Sequence, residues 1–192
     1  MLETFLFFLE LGYYHVLNFN GLDHFYFLII MTLPFVLKDW KQLAKCVTLF
    51  TLGHCCMVFI SHYFKFNIEY YWVEILIPST IIYSCISVII KFNKLYKSDF
   101  FKHINILTLF FGLIHGLGFG RYFSQIVQEE LSFISLLGFS FGIELAQLLI
   151  ASGVLVFNIL IIKSFSKRFN LWINGSSIIV LILSLKMVFE RI

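Results

Sequence analysis

Three side chains with ligand chemistry fall within ten residues of one another: His15, Asp23 and His24. Imidazole and carboxylate together suit a borderline divalent transition metal. His54, Glu74, His115, Glu144 and Gln147 stand further along, each inside or beside a long apolar run. Ionisable groups at membrane depth are costly, so they mark a functional site by default. Each also has a plainer reading. Asp23 suits the start of a helix, where the dipole favours a carboxylate. A lone His54 or His115 is as often a hydrogen-bonded packing residue as a ligand, and Glu74 can be an interfacial carboxylate. Cys55 and Cys56 are more often small packing residues than soft ligands. Glu144 is harder to dismiss, because a mid-span carboxylate needs a partner or a proton.

The surroundings of these residues are those of a membrane protein. Hydrophobic residues make up 60% of the 192 and charged residues 13%, against about 45–50% and about 25% in a soluble domain. Mean hydropathy is +0.92. The longest polar stretch, residues 91–103, leaves no room for a separate soluble domain, so residues 1–192 read as one integral-membrane domain. No basic, aromatic-interleaved patch suggests nucleic acid. Cys46, Cys55, Cys56 and Cys85 form no Cys-x-x-Cys pair, which argues against a disulfide framework or zinc knuckle. Glu3 and Glu10 stand where a cleaved signal peptide would be basic.

The elements that must position the candidate ligands read as an all-α polytopic transmembrane helix bundle of six or seven spans. Residues 2–17 are short of the roughly 20 needed to cross hydrocarbon, so they form either a short span, which is favoured, or an interfacial helix. Residues 18–21 read as a turn of Asn and Gly. Spans follow at 24–37 (ended or kinked at Pro34), 43–59, 71–90 (containing Pro78), 104–119, within 131–162, and at 171–189. Lys and Arg concentrate after Leu37, Ile90 and Ile162. The positive-inside rule makes those three loops cytoplasmic. It puts the 18–21 turn and Glu190-Arg191 on the other side. His15, Asp23, His24, His54, Glu74, His115 and Glu144 then share a level toward the non-cytoplasmic face. Gly112, Gly116 and Gly120 in one span, and Gly138, Gly142 and Ala146 in another, recur every four residues. That spacing lets helices approach closely in lipid. Ser140, Glu144 and Gln147 share a face. Pro78 has no N–H for the carbonyl of Glu74, four residues back, which is left free.

The run Gly12-x-x-His15, Gly21-x-Asp23-His24, Phe50-Thr51-x-Gly53-His54, Val73-Glu74-x-x-Ile77-Pro78, Phe111-Gly112-Leu113-x-His115-Gly116-Leu117-Gly118-Phe119 and Gly142-x-Glu144-x-x-Gln147 resembles the HupE/UreJ family of bacterial membrane proteins. The resemblance covers nearly the whole chain and is most specific over 111–119. Cys55 departs from it, since the family more often has a hydroxyl residue there. The family is commonly described as hydrogenase or urease accessory proteins and nickel permeases. His15 with the Asp23-His24 pair is also similar, over a shorter stretch, to nickel–cobalt permeases.

The resemblance implies a multi-pass protein of the bacterial inner (cytoplasmic) membrane that binds a divalent transition metal, nickel or zinc, and transports nickel or a similar ion. His15, Asp23, His24, His54 and His115 would be metal ligands. Glu74, Glu144 and Gln147 would compensate charge or orient the imidazoles. The expected partners are the bilayer and the ion, with membrane-protein partners or self-association left open. Two other readings fit the same residues: a membrane-embedded zinc hydrolase, and a structural subunit of a membrane complex. On balance the residues point away from an enzyme.

Overall fold

The computed structural model describes residues 1–18, 22–65, 70–92, 97–127, 133–165 and 168–192. Phe19, Asn20 and Gly21 of the expected turn, Lys94 and Lys167 of the lysine-rich loops, and residues 131–132 at the start of the sixth segment lie outside the described residues. There are seven α-helices among the described residues and no strand: α1 (Leu2–Val16), α2 (Asp23–Thr32), α3 (Trp40–Phe64), α4 (Tyr70–Lys91), α5 (Lys97–Val127), α6 (Phe133–Phe165) and α7 (Phe169–Arg191). A short 3-10 turn, Leu37–Asp39, precedes α3. The last five helices are long and apolar enough to cross a membrane.

Two helix pairs meet backbone to backbone. In the first, a β-carbon added at Gly53 would collide with the Leu109 carbonyl, and one at Gly112 with the Phe50 carbonyl. One at Gly116 would strike the His54 carbonyl. Residue numbers rise together, so α3 and α5 are parallel. In the second pair, Gly138 faces the Phe5 carbonyl, Gly142 faces that of Leu9, and Gly12 faces that of Phe139. Hence α1 and α6 are also parallel. Lipid supplies no hydrophobic drive between helices, so close van der Waals approach at small residues takes its place.

The direction of α1 revises the expected topology. Along α5 from Phe123 down to Phe101, the ring partners come in chain order from α1 and α2. Phe8 lies 5.6 Å from Phe123, His15 4.0 Å from Phe119, and His24 5.2 Å from His115. Phe27 lies 5.9 Å from Phe111, and Phe35 5.3 Å from Phe101. The two helices therefore run in series, in one direction. At 1.5 Å per residue they are about 22 and 15 Å long, and only together do they match the ~30 Å hydrocarbon core. Residues 2–17 are thus neither a full span nor a surface helix. They form the first half of a crossing that α2 continues; residues 19–21 of the expected turn lie outside the described residues. The bundle has six crossings.

The inner half, α2, is buried on nearly every side by His24, Phe27, Leu28, Ile30, Met31 and Thr32. A helix apolar all round belongs in the middle of a bundle. It stops before Pro34, as the sequence suggests. The carbonyls left over there are those of Leu33 and Phe35, and both accept from Asn158 Nδ2 at 3.1 and 3.0 Å. Trp172 Nε1 in turn donates to Asn158 Oδ1 at 3.0 Å. A backbone break at membrane depth persists only when its polar groups are satisfied inside the protein.

Two outcomes follow. Gly112→Val lowers the thermal stability of detergent-solubilised protein by about 1–3 kcal/mol or more, the usual range for overpacking. Gly153→Val, where nothing lies within 4 Å of an added β-carbon, changes it little. Reporters fused at residues 1 and 192 fall on the same side of the membrane, opposite Lys38. A first helix that crossed fully would put them on opposite sides.

Candidate metal centre

The glycine contacts determine where the histidines stand. Gly53 precedes His54, and Gly112 and Gly116 flank His115, so the α3–α5 contact aligns both rings. Gly12 seats α1 on α6 and brings His15, in the last turn of α1, to the same level. His24 follows as the second residue of α2. The His15 ring centroid is 4.8 Å from His24 and 5.5 Å from His54. His24 is 5.7 Å from His54 and 5.2 Å from His115. Four imidazoles from four helices thus share one point in the bundle, at the break between α1 and α2.

One ligand nitrogen from each of His15, His24 and His54 lies within 4.8 Å of the others. A point central to such a triangle is within about 2.8 Å of every corner, and imidazole–metal bonds are about 2.0–2.1 Å long. Small ring rotations would close the gap. His115 has a fixed tautomer: its Nδ1 is 2.8 Å from the Phe111 carbonyl. A carbonyl only accepts, so Nδ1 carries the proton and Nε2 presents a lone pair, the way a protein prepares a metal-binding imidazole. Nε2 of His15, His24, His54 and His115 and Nδ1 of His54 are all buried without a protein partner. A buried polar atom left unpaired costs about 1–3 kcal/mol. Five such nitrogens in one cluster fit a site made for a ligand, and imidazole-only donors suit nickel, zinc or copper rather than magnesium or calcium.

A cavity of about 160 Å³ opens onto the cluster from the end of the bundle opposite the lysine-rich loops, and is lined by His15, Asn18, Asp23, His24, Glu74 and His115, with Arg191. His54 is fully buried behind the lining residues. On the lysine-rich side the stacked rings of Phe27 and Phe50, 4.8 Å apart, close the site. Asp23 makes no helix cap. Its Oδ2 lies 3.4 Å from Arg191 Nη2, and Glu74 Oε2 lies 3.9 Å from Arg191 Nε.

The structure therefore gathers His15, Asp23, His24, His54, Glu74 and His115 in one place. Glu144 and Gln147 stand on α6 and meet α3: the Thr48 hydroxyl donates to Glu144 Oε1 at 2.6 Å, and Thr51 Oγ1 lies 3.2 Å from Gln147 Oε1. Neither lines the cavity. Cys55 likewise faces α6, with Ser140 Oγ 3.0 Å from its sulfur. The residue that sequence reasoning passed over is Arg191. Its signal was a cation on the side where the positive-inside rule expects few.

If the cluster takes an ion, added nickel or zinc should stabilise the folded protein by about 2.7 kcal/mol at a hundred times the dissociation constant. Differential scanning of His115→Ala should then show no such shift. The metal-dependent shift in the intact protein shrinks as pH falls through the imidazole range, because protons compete for the same nitrogens. A shift that grows on acidification contradicts imidazole ligation.

A family model described as HupE / UreJ protein matches residues 1–191. No curated protein and no solved structure matches the chain.

Proposed function

The chain belongs to the HupE/UreJ family, and from that premise we propose that it is a permease for nickel or a similar divalent transition-metal ion. The family and the histidine cluster are consistent with a metal-related membrane accessory protein. The observation that carries the finer reading is the set of four imidazoles whose Nε2 atoms are buried and unpaired at the break in a crossing helix. Broken helices that meet near mid-membrane are how many transporters build ion sites.

In this reading the loops after Leu37, Ile90 and Ile162 are cytoplasmic, and the membrane is the bacterial inner one. The ion enters by the cavity from the other side. Asp23 and Glu74 offset its charge, and His15, His24, His54 and His115 replace its water. Phe27 and Phe50 keep the inner half dry, so passage requires that stack to part while the outer cavity closes. Glu144 and Gln147 act at one remove, by holding α3 against α6 and so fixing the azimuth of His54.

The one-sided opening also suits a zinc hydrolase: the histidines would hold the ion, whose chemistry would be activation of water, and Glu74, which lines the same cavity, would serve as the base. Proteoliposomes separate the two. The permease reading expects time-dependent entry of labelled Ni²⁺ that His54→Ala abolishes. Bound metal without entry favours the hydrolase, and protein that holds no divalent metal contradicts both.

A further inference from the structure

We infer that Arg191 is a tethered counter-cation, which holds the carboxylates at the mouth of the metal site and must leave them for a metal ion to enter. This rests on the metal-binding reading above and adds a component to it.

The guanidinium has three partners, and each has a physical origin. Pro78 lacks the N–H that would bond the Glu74 carbonyl, and Arg191 Nη1 donates to that carbonyl at 2.9 Å. Asp23 and Glu74 supply the other two contacts, at 3.4 and 3.9 Å. Both are longer than the roughly 2.7–2.9 Å of a tight charge-assisted bond. The neutral carbonyl is thus the close contact, and the carboxylates are held loosely. Arg191 ends α7, so its side chain can swing out without moving a packed helix. Its own side chain is 20% exposed, and it lines the same cavity as three of the four histidines.

The consequence is selectivity by charge. Two carboxylates and one guanidinium leave a single net negative charge at the mouth. A monovalent ion brings no more charge than the guanidinium it displaces, and it has no preference for imidazole nitrogen. A divalent transition-metal ion exceeds the guanidinium in charge and gains the four nitrogens as well. Arg191 therefore sets a displacement cost for every cation, which an ion with two charges and four imidazole ligands overcomes and a monovalent ion does not.

Titrating the full-length protein in detergent with Ni²⁺ tests this. Arg191→Gln should bind about tenfold or more tightly than the unaltered protein, because a repelling unit charge is gone. Its Ni²⁺ binding should also become sensitive to added Na⁺, which the unaltered protein resists. Arg191→Lys, which keeps the charge but loses the planar fork to the carbonyl, should fall between. A second readout uses the unaltered protein alone: phenylglyoxal modification of Arg191, followed by peptide mapping, should run faster with Ni²⁺ present than without. If the unaltered protein binds Ni²⁺ through His54 while Arg191→Gln binds no more tightly, or if labelling is indifferent to Ni²⁺, the gate is wrong and the metal site stands. If the unaltered protein binds no Ni²⁺, both fall together.

Discussion

The contact of helix backbones at glycine is the constraint on which the rest depends. In water a helix pair can be held by apolar side chains several ångströms thick. In lipid those side chains gain nothing by leaving one hydrocarbon for another. Here the carbonyls of Phe50, His54, Leu109, Phe5, Leu9 and Phe139 rest where β-carbons would otherwise be. Two parallel pairs result, and each is locked in register as well as in distance. Register is what the site needs, because a shift of one turn would move a histidine by about 5.4 Å and disperse the cluster.

The broken crossing follows from the same lock. With α1 held parallel to α6, α2 continues in the same direction, and Asn18, Asp23 and His24 stand beside His15 in a cavity at the end opposite the lysine-rich loops. Backbone irregularity at membrane depth is tolerated only where protein or a cavity satisfies it. Asn158 and Trp172 do so at the Pro34 end, and Arg191 does so at the Glu74 carbonyl that Pro78 leaves free. Fold and site are thus one design: each place where the helices are interrupted is either stapled by a side chain or open to the ion.

Depth was legible in the sequence, and azimuth was not. Counting residues from the lysine-rich loops places His15, Asp23, His24, His54, Glu74 and His115 at one level, and the structure brings these six together. The same count put Glu144 at that level, with Gln147 on the same face beside it; the two meet Thr48 and Thr51 between α3 and α6. A helix rotates about 100° per residue, so level alone cannot say which side chains meet until the partner helix is known. The direction of α1 was hidden for a related reason. Gly138 and Gly142 of α6 marked a close contact without saying which helix met them or which way it ran. Pro78 signalled a free carbonyl at Glu74 correctly, yet its partner is 117 residues away and had been read only as a topology charge.

The central claim is that a transition-metal ion sits among the imidazoles of His15, His24, His54 and His115. X-ray absorption at the nickel edge of purified, nickel-loaded protein tests it most directly. The account predicts nearest neighbours that are nitrogen at about 2.0–2.1 Å, outer-shell scattering from three or four imidazole rings, and loss of that signature in His54→Ala. A spectrum of water and carboxylate oxygens alone, unchanged in His54→Ala, would contradict it.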